Sequence, residues 1–233
     1  MSIVLIPGAG GSGWSWHRVA PFLEEAGHEV VRVDLPGSDD SAGLADYANA
    51  VVDAIGARTD LTVVAQSLGA FTAPLVCDRV PVSMLVLVNP MIPSPGETAG
   101  DWWANTGQPE AKAAYAEQLG LPAHAFDMRL DFFHDVPDEV FAAAGAHARP
   151  QSQAIFGEPW PLATWPDVPT RVLQGRGDRF FPLEFQRRIA RERLGVTPDE
   201  IDGGHLVALS NPQQLADRIL NYVRDGSARH DIS

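Results

Sequence analysis

Short runs of apolar residues alternate along the chain with longer stretches of helical pattern. The runs Ile3–Ile6, Glu29–Asp34, Leu61–Ala65, Met84–Val88, Thr170–Gln174 and Val196–Ile201 predict strands. Several are continuous Val/Ile/Leu segments with no in–out alternation, the pattern of strands covered on both faces in a parallel sheet. The stretches Ser15–Ala26, Leu44–Ala57, Leu68–Arg79, Leu183–Leu194 and Pro212–Val223 predict helices. The last opens at Asn211-Pro212, a capping residue followed by proline at the first helical position. Strand and helix in alternation predict right-handed βαβ units and a doubly wound, mainly parallel sheet of six strands.

The alternation breaks between Ile92 and Asp167, a stretch that opens with Pro93-Ser94-Pro95-Gly96 and closes with Pro159, Pro161 and Pro166. It carries helical patches and many aromatics, among them Trp102, Trp103, Phe126, Phe132, Phe133, Phe141, Trp160 and Trp165. Residues 92–166 are expected to form an insertion carried by a core of 1–91 and 167–225. A flexible tail is expected at 226–233.

Composition narrows the picture. A chain of 233 residues suits one large α/β domain, which buries about 70% of the surface of its unfolded chain and needs no staple. The formal net charge of −13 argues against nucleic acid and against an anionic membrane surface. Cys77 is the only cysteine, so an intrachain disulfide and CxxC-type metal or redox sites are excluded. The N-terminal apolar run is too short for a signal peptide, and no run approaches the ~20 apolar residues of a membrane span. A cytoplasmic location is the expectation, for a monomer or homodimer.

Candidate chemistry sits at the ends of strands. The third strand ends in Val64-Ala65-Gln66-Ser67-Leu68-Gly69, with a helix to follow, the strand–turn–helix setting of a nucleophile elbow. There a serine stands on a sharp turn, flanked at two residues either side by small residues that let strand and helix approach. The usual pattern is Gly-x-Ser-x-Gly; here Ala65 takes the first glycine's place. A serine hydroxyl needs a base, and the base needs an orienting carboxylate. His205 follows Asp202-Gly203-Gly204 after the last predicted strand, at the sheet end where catalytic groups of parallel sheets gather. Asp178, in Gly175-Arg176-Gly177-Asp178 past the fifth strand, is the preferred acid; Asp202 is its rival but lies only three residues from His205. Asn89 ends the fourth strand, where another acid could sit, but has no charge. His124, His134 and His147 lack metal-ligand spacing, and no metal is expected.

The first loop, Pro7-Gly8-Ala9-Gly10-Gly11-Ser12-Gly13, can supply one backbone donor to an oxyanion. Ala9 is the expected first donor and Leu68, after the nucleophile, the second. Gly8, Gly10 and Gly13 also spell G-x-G-x-x-G, with Asp34 ending the next strand, as in dinucleotide sites. The bulky Trp14-Ser15-Trp16-His17 that follows is ill suited to a helix packed tightly on the sheet, and a dehydrogenase would leave Ser67, Asp178 and His205 unexplained. No cofactor is expected.

Over nearly its whole length the chain resembles the α/β-hydrolase superfamily. Gly11–His17, Pro21–Val30 and Asp34–Ser38 are similar to the plant methylesterase and hydroxynitrile lyase branch and its bacterial relatives. There are departures: Pro7 and Gln66 replace histidines common in the branch, and Leu206 stands where its cyanogenic lyases carry lysine. The resemblance implies a core sheet, a helical cap over the site, a serine nucleophile and no cofactor. The favoured reading is a serine esterase acting on a small-molecule ester, with aromatics of the insertion, Trp102, Trp103 and Phe133, as expected pocket residues. The alternatives are C–C or cyanohydrin cleavage by the same triad, and a hydrolase-fold protein that binds a ligand without turnover.

Overall fold

A computed structural model describes residues 1–122 and 125–230. His124 and residues 231–233 lie outside the described residues. Six strands, β1 (Ser2–Ile6), β2 (Glu29–Arg32), β3 (Leu61–Gln66), β4 (Val82–Val88), β5 (Thr170–Gly175) and β6 (Asp199–Ile201), form one sheet in the order β2-β1-β3-β4-β5-β6. Every pairing is parallel. The last strand is shorter than its sequence suggests because Pro198 has no N–H to give to the ladder.

The helices in chain order are α1 (Ala20–Glu25), α2 (Leu44–Ile55), α3 (Gly69–Cys77), α4 (Trp102–Thr106), α5 (Gln108–Gln118), α6 (Asp138–His147), α7 (Ala154–Gly157), α8 (Leu183–Leu194), α9 (Val207–Ser210) and α10 (Pro212–His230). A 3₁₀ turn covers Gly13–Trp16 and a π-helical turn covers Met128–Phe132. The expected helix Ser15–Ala26 is thus two pieces. Ser12 Oγ accepts the Trp14 N–H and caps the 3₁₀ turn, and Pro21 sits in the first turn of α1, where its missing N–H costs nothing. The last helix runs on to His230, so 226–230 are helical where a flexible tail is expected.

Successive residues of a strand point to opposite faces. Ile3 and Leu5 therefore join Trp16, Leu23, Leu215, Ile219 and Tyr222 under α1 and α10. Val4 and Ile6 join Tyr47, Val51, Phe71 and Ile189 under α2, α3 and α8. This two-sided burial is what the continuous apolar runs require.

The segment between β4 and β5 carries α4 to α7. It is anchored to the core by a buried ion pair between Glu97 and Arg193 of α8. Inside it, Lys112 pairs with Asp131 at 2.9 Å, tying α5 to the π-helical turn. Among the described residues, no helix is long and apolar enough to cross a membrane.

Candidate active site

Ser67 stands directly after β3 with φ of 52°, a left-handed conformation that a non-glycine residue adopts only under local constraint. The constraint is visible: the Ser67 N–H donates to Val88 O at 3.1 Å, and the Ser67 carbonyl accepts from Met91 N at 3.0 Å. Gly69 lets the new helix pass β1, since a Cβ there would lie 2.8 Å from the Pro7 carbonyl oxygen. Ala65, the departure from the usual pattern, fits fully buried.

The structure brings His205 and Asp178 to this serine. His205 Nε2 lies 3.2 Å from Ser67 Oγ, and His205 Nδ1 lies 2.9 Å from Asp178 Oδ2. A carboxylate only accepts, so Nδ1 carries the proton and Nε2 is left to accept from the serine hydroxyl. Asp178 is fully buried; its other oxygen accepts the Phe180 and Phe181 N–H groups, each at 2.8 Å. Asp202, the rival acid, points away: it is exposed and accepts from Arg176 at 2.5 Å. Rings of Phe132, Phe180 and Phe181 surround the imidazole, and Phe132 stacks on it at 4.5 Å with 21° between the planes.

Asn89 has a larger part than its lack of charge suggests. It is fully buried with φ of 44°. Its Nδ2 donates to the Gly204 and His205 carbonyls at 3.0 and 2.8 Å, and its Oδ1 accepts the Gly175 N–H at 2.7 Å. One side chain therefore ties together the loops bearing Asp178 and His205. The available signal is a polar residue closing an apolar strand run, which when buried must find partners.

In the glycine-rich loop three N–H groups have acceptors, one inside the loop and two on side chains outside it. Gly11 N donates to Gly8 O at 3.1 Å, Gly10 N to Gln151 Oε1 at 3.1 Å, and Gly13 N to Asp34 Oδ1 at 2.7 Å. Asp34, the residue that completes the dinucleotide pattern, thus serves as a cap for the loop. Among the described residues, neither the Ala9 nor the Leu68 N–H donates to a protein acceptor. The Arg149 N–H donates to Gly10 O at 2.9 Å, so the loop is held by the part of the insertion that follows α6. The roles of Arg149 and Gln151 have no local sequence signal.

A cavity of about 500 Å³ opens over Ser67 and His205. Its walls are Gly8–Gly11, Trp14, Met128, Phe132, Phe133, Phe141 and small residues of α6 such as Ala144 and Gly145. Of the expected pocket residues only Phe133 lines it. Trp102 is fully buried in the core, with its indole N–H donating to Ile92 O at 2.9 Å. Trp103 lines a second cavity with Gln108, Lys112, Phe126 and Phe180. Both tryptophans lie on α4, whose apolar face packs on Phe181, so that face is committed to the core.

Elsewhere, burial pushes the Cys77 thiol up to about 12, which keeps it protonated and unreactive. His134 is held below its ordinary value, chiefly by burial. Among the described residues no cluster of three His, Cys, Asp or Glu side chains could hold a metal ion.

A model of the alpha/beta hydrolase family matches residues 3–218. Salicylic acid-binding protein 2 of Nicotiana tabacum is 30% identical over 256 aligned residues, covering 93% of this chain and 95% of its own. Norfluorocurarine synthase 1 of a Strychnos species is 23% identical over 253 aligned residues, 91% of each chain. The crystal structure of polyneuridine aldehyde esterase superposes with a TM-score of 0.76 at 21% identity, covering 95% of this chain and 98% of that one.

Proposed function

The chain belongs to the alpha/beta hydrolase family, and from that premise we propose that it hydrolyses a small carboxylic ester through an acyl-enzyme formed on Ser67. The observation that most supports this is the unbroken line from Asp178 to His205 to Ser67, at 2.9 and 3.2 Å, under an apolar cavity. The esterase names of several relatives, such as Methylesterase 3 of Arabidopsis thaliana at 26% identity, support an ester as the substrate class.

In this mechanism Ser67 Oγ attacks the ester carbonyl while His205 Nε2 takes its proton. Asp178 holds the Nδ1–H, which fixes the tautomer and stabilises the imidazolium as it forms. The Ala9 and Leu68 N–H groups receive the developing oxyanion, donors worth about 3 kcal/mol each in such sites. His205 returns the proton to the departing alkoxide. Water, deprotonated by the same imidazole, then releases the acid. Residues 92–166 act as the cap: Phe132, Phe133 and Phe141 exclude water and give the acyl or alcohol group an apolar bed.

A panel of p-nitrophenyl esters, lactones and cyanohydrins tests the proposal. Saturable turnover of short p-nitrophenyl esters, with cyanohydrins untouched, is the expected result. Preferential cyanohydrin cleavage would make the enzyme a lyase, and binding without turnover would make it a receptor.

A further inference from the structure

We infer that His134 and Asp135 are positioning residues that clip, from the cap side, the two loops presenting Asp178 and His205. This rests on the triad proposed above and adds to it two residues that never touch the substrate.

His134 Nε2 lies 2.9 Å from the carbonyl oxygen of Gly177, the residue before Asp178. A carbonyl only accepts, so the ring carries its proton on Nε2 and donates. Asp135 Oδ2 accepts the N–H of Gly204, the residue before His205, at 2.6 Å. Adjacent side chains of the cap thus grip the backbone one residue upstream of the acid and one residue upstream of the base. Two residues earlier, Phe132 stacks on the imidazole itself. The two loops are also joined to each other, Gly177 N donating to Gly203 O at 3.0 Å.

The fit is close enough to depend on a glycine. A Cβ on Gly204 would lie 2.7 Å from Asp135 Oδ1 and 2.8 Å from His134 Nε2. From the core side the same loops are held by Asn89. The catalytic acid and base therefore sit between two clamps, one in the sheet and one in the cap. Phe132 and Phe133 line the cavity over Ser67, whereas His134 and Asp135 do not. Removing the clip should then loosen the His205–Asp178 geometry without altering substrate contacts. Misplacement on the order of 1 Å can cost about 100-fold in rate.

The test uses the full chain with p-nitrophenyl butyrate. His134→Ala and Asp135→Ala should lower kcat by about 10- to 100-fold while KM stays within about twofold. Asp135→Asn keeps an oxygen for the Gly204 N–H and should restore most of kcat. The low-field proton resonance of the His205 Nδ1–H should broaden in Asp135→Ala and sharpen again in Asp135→Asn. His134→Phe keeps the ring's volume without the donor, and is read in place of His134→Ala if the latter does not fold. Folded variants with unchanged kcat and resonance would overturn the inference, and so would failure of both His134 variants to fold, which would assign the contact to the fold alone. Ser67→Ala, measured beside them, separates the two levels: activity in Ser67→Ala defeats the triad, whereas its loss alongside unaffected clip variants defeats only the clip.

Discussion

The Asn89 side chain donates to the His205 carbonyl at 2.8 Å, from the end of a strand two positions away in the sheet from the one that precedes the histidine. The same amide also receives Gly175 N–H and binds Gly204 O, so three backbone groups of two loops depend on it. Asn89→Ala leaves the Gly175 N–H and the Gly204 carbonyl buried without this partner, leaves His205 O with only the Gln66 side-chain amide at 3.3 Å, and places alanine at a positive φ that asparagine tolerates better. It should lower the free energy of unfolding by about 3 kcal/mol, read as an earlier midpoint in urea. An unchanged midpoint would show that the loops close without it.

Asp178→Asn should keep the shape of the site and favour the wrong imidazole tautomer, costing on the order of 10⁴ in turnover. Asp202→Asn should be mild, because that carboxylate is exposed and paired with Arg176. Steady-state kinetics on purified variants decides between them; a reversed order would move the acid to Asp202.

Stability should depend on pH through His134. Burial holds its folded-state value below the ordinary 6.5, so the unfolded chain takes up this proton first as pH falls. Folding is then penalised from the ordinary histidine range downward, and the penalty is absent above it. Between pH 7 and 5 the urea midpoint of the native chain should fall further than that of His134→Gln. Parallel slopes would mean that His134 titrates alike in both states.

Much of this arrangement is legible in the sequence. The six strands can be read because parallel strands buried on both faces are continuous apolar runs, and β6 is cut short only by Pro198. Ser67, Asp178 and His205 can be picked out because each follows a strand in a recognisable local setting. What joins them is less visible. The clip at His134 and Asp135 acts across 43 and 69 residues of chain, and Gln151 reaches Gly10 across 141. No local pattern marks such contacts. The aromatics of the insertion mislead for a related reason: Trp102 and Phe133 have similar sequence surroundings, yet one packs on α8 and the other faces the cavity. The dinucleotide-like glycine pattern at Gly8–Gly13 is outweighed in the sequence by Trp14–His17, but the part Asp34 plays, accepting the Gly13 N–H, has no sequence signal.

The nucleophile is tested by Ser67→Ala. The substitution removes one oxygen from a site whose backbone is held by its neighbours, so the variant should fold with an unchanged urea midpoint. Its turnover of p-nitrophenyl butyrate should fall by up to about a millionfold, the loss seen when a serine hydrolase is deprived of its nucleophile. A folded, purified Ser67→Ala that kept more than a few per cent of the native rate would contradict an acyl-enzyme at Ser67.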